Sequence, residues 1–276
     1  MASVGNRHSR WSAAAFVTVA AVAASAAPAF AACDGPPGPT GTIELKTGAV
    51  TRTFVVRVPQ TAAARKPAPL IFLFHPFGMN AQYMQGRVPM PRVWPEAIAV
   101  YPQGLPRGGG FGFQPAWQTG SGEMDDRDLV FFDQMLEWMR ANHCVDDSRV
   151  FVMGYSNGAR LSSLLACQRA GAIAGVAIAS GSLSCDPPEA RPIILAHGLA
   201  DQTIPYARAA DASSTWAARN GCKAPPRVGA VGCFAADSCS AAPVGLCTYE
   251  GGHEYWEPFT RAIADFLKNV TLKSHP

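Results

Sequence analysis

The chain has 276 residues, a formal net charge of +3, 48% hydrophobic residues and eight cysteines. Its basic and acidic residues are dispersed rather than blocked, which excludes the charge signature of a nucleic-acid binder or of a protein drawn to anionic membranes. The expected partner is a neutral or weakly charged small group, with no nucleic acid and no membrane span.

The first 31 residues read as a signal peptide rather than as fold. Arg7 and Arg10 give a positive start, residues 12–27 form an Ala/Val-rich run, and Ala29-Phe30-Ala31 has the small-x-small form of a cleavage site. That places the mature protein outside the cytoplasm, secreted or periplasmic. No later segment offers the roughly 18 to 20 uninterrupted apolar residues that a bilayer span requires. Cys33 follows the cleavage site, and lipid attachment there is the minor alternative, since Phe30-Ala31-Ala32 lacks the usual leucine. Residues 32–276, about 245 in number, suit one large catalytic domain with an ample core.

After a Pro/Gly-rich start at 34–41, residues 42–45 and 53–58 alternate apolar and polar around a turn at Lys46-Thr47-Gly48, which predicts a hairpin. Short apolar runs follow at 69–74, 97–101, 150–153, 173–179 and 192–196, as expected of parallel strands buried on both faces. Leu129, Phe132, Leu136 and Met139 recur at helical spacing, with Asp125, Asp126 and Asp128 where acids favour a helix start. Strands alternating with helices give an α/β doubly wound architecture.

The chemistry-bearing residues fall at the ends of these runs. Gly154-Tyr155-Ser156-Asn157-Gly158 sits between the run 150–153 and a helix-like stretch at 159–167, the strand-turn-helix setting of a nucleophile elbow. G-x-S-x-G alone arises by chance in about one chain of this length in ten, so its place between strand and helix carries the reading. A serine hydroxyl needs a base, and the base needs an orienting carboxylate. Asp201 follows the run 192–196 and supplies the acid; His253, late in the chain within Gly251-Gly252-His253, supplies the base. An oxyanion would take one donor from the Asn157 amide and one from the loop His75-Pro76-Phe77-Gly78. Proline has no N–H, so that second donor is Phe77. His75 and His197 each end a strand and read as hydrogen-bonding residues for neighbouring loops, while His143 ends a helix where a cation suits the dipole. No histidine or cysteine stands at metal-ligand spacing, so no metal is expected. An even cysteine count in an exported chain predicts disulfides, with the cluster 222–247 pinning the segment before His253.

With these segments placed, the chain resembles the secreted feruloyl esterases and polyhydroxybutyrate depolymerase-like esterases. The resemblance rests on Phe72-Leu-Phe-His75, Val100-Tyr-Pro-Gln-Gly104, Asp128 to Phe132, His143-Cys144-Val-Asp146, Arg149 to Gly158, Leu165-Ala-Cys167, His197-Gly-Leu-Ala-Asp201, Asn220-Gly-Cys222 and Gly251-Gly-His253. It implies the α/β-hydrolase fold, a mostly parallel central sheet with helices on both faces. It further implies a Ser156, Asp201, His253 triad, hydrolysis of carboxylic esters such as hydroxycinnamoyl groups on plant polysaccharide, and no cofactor. Two departures stand out: Pro76 replaces the family's glycine after His75, and Trp256 and Pro258 lie further behind His253 than usual. Tyr83, Phe111, Phe113, Trp117 and Trp256 are candidates to line an aromatic acyl site. Competing readings are an aliphatic polyester depolymerase, a serine peptidase, and a secreted binding protein that keeps the fold without turnover.

Overall fold

The predicted opening hairpin forms from β1 (Gly41–Thr47) and β2 (Val50–Arg57), antiparallel with Thr47 opposite Val50, and Gly48 takes φ +60° in the two-residue turn. The structure is a computed structural model that describes residues 1, 33, 38–58, 66–108 and 112–272. Apart from Met1, the leader at 1–31 lies outside them, as does Phe111.

The five apolar runs become the strands β3 (Ala68–Phe74), β4 (Ile98–Pro102), β7 (Val145–Tyr155), β8 (Gly175–Ala179) and β9 (Ile193–Gly198), and β11 (Val244–Tyr249) joins them. Together with the hairpin and β10 (Gly232–Ala235) they make one nine-stranded sheet in the order β1-β2-β4-β3-β7-β8-β9-β11-β10. The six central strands are parallel, and antiparallel strands close both edges. A separate small hairpin pairs β5 (Leu105–Arg107) with β6 (Gln114–Ala116). β7 is longer than its apolar run because the polar residues 146–149 continue the strand across a register shift opposite β3.

Burial on both faces explains the near-continuous apolarity of these strands, because successive side chains feed opposite cores. On one face Leu70, Phe72, Val150, Val152, Ile178 and Leu195 pack under α3 (Arg127–Asn142), α4 (Asn157–Gln168) and α5 (Ala207–Arg219). On the other, Ile71, Leu73, Phe151, Met153, Ile194 and Ala196 meet α1 (Ala81–Arg87), α2 (Met90–Val93) and α6 (Pro258–Leu267). Burying each such Leu, Ile or Phe contributes about 1.5 to 3 kcal/mol, so both layers are needed to hold the sheet flat against its helices.

All eight cysteines are paired: Cys33–Cys144, Cys167–Cys185, Cys222–Cys239 and Cys233–Cys247. Such bridges are common in proteins of oxidising compartments. The thiol of Cys33 is consumed by its bridge, so lipid attachment at that sulfur is ruled out. The cluster behaves as expected of it: Cys233 and Cys247 face each other across β10 and β11, and β11 runs directly into the loop that carries His253. Among the described residues no helix is long and apolar enough to cross a membrane.

The acids stand at the helix start as expected: Asp126 is the cap residue of α3 and Asp125 precedes it, both at positive φ. Asp128 follows in the first turn, buried and 2.8 Å from the guanidinium of Arg52. The role of His143 differs from the expectation. His143 caps α3 as predicted; burial lowers its pKa, so it packs as a neutral ring 5.6 Å from Trp138 and not as a cation on the dipole.

Candidate active site

The parallel strands β3, β7, β8, β9 and β11 all end on one edge of the sheet, which is where open α/β sheets deliver side chains to a crevice. At the tip of β7 the chain turns sharply into α4 through Ser156, whose φ of 55° and ψ of −115° are strained for a residue with a Cβ. The turn closes because Gly154 and Gly158 carry no side chains. A Cβ at Gly154 would collide with the Gly158 backbone, and one at Gly158 with the Phe74 carbonyl on β3. That is the physical content of the G-x-S-x-G spacing: two close backbone approaches around a half-buried serine.

Asp201 lies three residues beyond β9 and is buried, and His253 lies four beyond β11. The strands are neighbours in register, with Thr248 beside His197 and Tyr249 beside Gly198, so both loops rise side by side. A side chain at Gly198 would strike the Gly251 and Gly252 carbonyls, so the His-Gly of one loop and the Gly-Gly of the other are a matched pair.

The three sequence-predicted residues meet. His253 Nδ1 is 2.7 Å from Asp201 Oδ2, and His253 Nε2 is 2.8 Å from Ser156 Oγ. Asp201 is held on every side: Oδ1 accepts from the amides of Thr203 and Ile204, both at 2.8 Å, and Oδ2 lies 3.2 Å from His197 Nε2. His197 Nε2–H also donates to the Ile204 carbonyl at 2.8 Å, and burial lowers the His197 pKa, so it acts as a neutral donor. Chemically, this arrangement can move a proton from a serine hydroxyl to an imidazole whose tautomer a carboxylate fixes.

Known proteins resemble this chain in sequence and in fold. No protein-family model matches the sequence. Feruloyl esterase C of Emericella nidulans is 31% identical over 219 residues, covering 74% of this chain and 76% of that protein. The chain belongs to the feruloyl esterase family. Feruloyl esterase D of Neurospora crassa is 30% identical over 217 residues, 72% of this chain and 71% of the relative. Among solved structures, an acetyl xylan esterase from Aspergillus awamori superposes with a TM-score of 0.63 at 14% identity, over 83% of this chain and 99% of that one. A ferulic acid esterase from Anaeromyces mucronatus does so with a TM-score of 0.56 at 13% identity, over 84% and 90%. The fold is the α/β-hydrolase fold, and the protein is a carboxylic-ester hydrolase.

The histidine loop of this esterase is held by two tyrosines that sequence reading passed over. Tyr155 Oη donates to the His253 carbonyl at 2.8 Å, and Tyr249 Oη to the Glu254 carbonyl at 2.5 Å. The signal was available in Tyr155, the variable residue of the elbow motif.

The loop 75–78 is held from further away. His75 is fully buried, and its Nδ1–H donates to the Pro76 carbonyl at 2.8 Å while Nε2 accepts from the Gly104 amide at 2.9 Å. Desolvation lowers its pKa from 6.5 to about 4, so it stays neutral and keeps both bonds. Trp117 Nε1 donates to the His75 carbonyl at 2.9 Å. Trp117 is in turn clamped by the Asn157 side chain, which accepts from its amide at 2.7 Å and donates to its carbonyl at 3.1 Å. Beneath lie Gln118, which receives the Asp128 amide at 2.9 Å, and the Arg52–Asp128 pair, with Asp128 Oδ2 accepting from the Gln118 amide at 2.7 Å. The expected loop-binding role of His75 and His197 is therefore seen for both.

The aromatic candidates divide. Trp117 is fully buried and serves as an anchor, not as a lining residue, and Phe113 is 81% exposed. Tyr83 and Trp256 are half-buried, Trp256 stacked on Tyr249 at 5.6 Å.

Proposed function

We propose that the protein is an exported serine esterase in which Ser156 is the nucleophile, His253 the general base and Asp201 the orienting acid. The observation that carries this reading is the unbroken chain of contacts from Ser156 Oγ through His253 to Asp201 at 2.8 and 2.7 Å. Ser156 Oγ attacks the ester carbonyl carbon as its proton passes to His253 Nε2, and Asp201 stabilises the resulting imidazolium. The negative charge gathers on the carbonyl oxygen, where the Asn157 amide and the Phe77 amide donate. Pro76 has no N–H to donate. Collapse of the tetrahedral species breaks the bond to the alcohol, which leaves with the proton held by His253. Water then repeats the sequence on the acyl-enzyme and releases the acid.

The substrates proposed are feruloyl and related hydroxycinnamoyl esters of plant polysaccharide, supported by the feruloyl esterase relatives. Export is supported by the leader-like residues 1–31 and by the four disulfides. Hydrolysis rates on methyl ferulate, a short p-nitrophenyl ester, polyhydroxybutyrate and a peptide, measured side by side, test the assignment. The expected order places methyl ferulate first in kcat/KM. Faster turnover of the polyester or the peptide would overturn the substrate assignment.

A further inference from the structure

Beside the triad, and not part of it, lies a polar cavity of about 530 Å³. One wall is α4 at Arg160, whose amide donates to the Ser156 carbonyl at 3.2 Å. Arg160 is thus one helical turn from the nucleophile, about 6 Å along the axis. Another wall is the loop through Thr203 and Ile204, the two residues whose amides hold Asp201. The mouth of α5 contributes Arg208 and Asp211, and Ser182 adds a hydroxyl.

The charges of this cavity do not cancel. Among the described residues neither Arg160 nor Arg208 has a carboxylate within 4 Å, and the half-buried Arg160 keeps its Nε out of solvent with no hydrogen-bond partner. Glu123, the acid that acts on Arg160 from across the crevice, is already paired with Arg107 at 3.1 Å and accepts from the Thr119 amide at 2.9 Å. Asp211 is the acid in the wall, against two guanidiniums. Holding a guanidinium partly out of water without a partner costs stability, and its planar fork matches a carboxylate better than any neutral group.

Resting on the esterase reading above, we propose that this cavity is a subsite for a carboxylate carried by the ester substrate, with Arg160 and Arg208 as its specificity-determining residues. The carboxylate has two possible origins: an acidic sugar in the alcohol part, or a second acid group in the acyl part. In either case the substrate is an ester that carries a free acid.

The test uses the full chain and three esters: methyl ferulate without a free carboxylate, a feruloyl ester of galacturonic acid, and p-nitrophenyl hemisuccinate compared with p-nitrophenyl butyrate. At low salt one carboxylated ester is expected to show a KM about 10-fold to 100-fold below its neutral counterpart, the size of a charge-assisted hydrogen bond. Which one does so identifies the side that carries the acid. The ratio should shrink toward one in 1 M NaCl and in the Arg160→Gln/Arg208→Gln variant. Equal KM values for all carboxylated and neutral pairs, or a preference that survives the double substitution, would overturn the proposal. Calorimetry with free galacturonate, glutarate and neutral methyl galactoside keeps the two readings apart. Binding of either acid but not of the galactoside, lost in the double variant, supports the subsite even without turnover, whereas turnover of neutral esters without acid binding refutes the subsite alone.

Discussion

The two sides of Ser156 are built in different ways. On the proposed relay side, each part is secured by its own neighbourhood: Asp201 by amides two and three residues on, and the His253 carbonyl by the tyrosine next to Ser156. On the proposed oxyanion side, the loop 75–78 depends on Gly104, Trp117 and Asn157, and through Gln118 on an ion pair between β2 and α3, 76 positions apart in sequence if Arg52 is counted from Asp128. A proton relay needs three atoms in line, which short loops at strand ends can supply. A preorganised oxyanion site needs a rigid backbone, and rigidity at a loop has to be imported from the core.

The largest effect should come from the relay. Ser156→Ala and His253→Ala are each expected to lower kcat by on the order of 10⁶ while leaving circular dichroism and thermal midpoint near wild type. Near wild-type turnover in either variant would break the assignment of that side. Asp201→Asn should cost less, about 10⁴ in kcat, because it spoils the tautomer of His253 but removes no reacting group. Steady-state kinetics on one ester decide the order.

The oxyanion side should fail through stability first. Asp128→Ala strands the guanidinium of Arg52, which lies 3.9 Å over the Phe131 ring with no exposed side-chain surface. Breaking such a buried pair typically costs about 3 to 5 kcal/mol, whereas Arg52→Met with Asp128→Leu should recover much of it. Urea unfolding of the two variants measures both numbers. A single variant as stable as the parent would show that the ion pair is not what holds the loop.

A smaller effect is expected from pH. Burial lowers the His75 pKa from 6.5 to about 4, so between these values the unfolded chain binds a proton that the folded chain does not. Stability present above pH 6.5 is therefore lost as the pH falls through 4, by about 3 kcal/mol from this residue. His143 and His197 shift in the same direction and add to the loss. The thermal midpoint should drop from pH 7 to 4.5, and His75→Gln should make that slope shallower. The smallest effect belongs to Pro76→Gly. Proline donates no hydrogen bond there, so activity on methyl ferulate should remain within a few-fold of wild type.

The same contrast explains what the sequence made legible. Ser156, Asp201 and His253 each sit in a short motif shaped by backbone contact, and five of the six buried parallel strands were visible as apolar runs because both of their faces are covered. Arg52 and Asp128 were not, since a charged residue in a half-exposed hairpin and an acid in a helix's first turn both have ordinary local explanations. β10 and the β5–β6 hairpin also escaped notice: their residues are few, partly exposed and broken by glycine and proline. Trp117 misled for a related reason, because an aromatic near a site reads the same whether it lines the pocket or props the loop behind it.

The central claim is that Ser156 Oγ is the atom on which the acyl group is carried, and active-site labelling tests it most directly. The protein is treated with a fluorophosphonate, digested and mapped by mass spectrometry. The account predicts one adduct, on the peptide containing Ser156, with loss of esterase activity in proportion to labelling and no adduct in His253→Ala. Full inactivation with the label on another residue, or full labelling of Ser156 with activity retained, would contradict it.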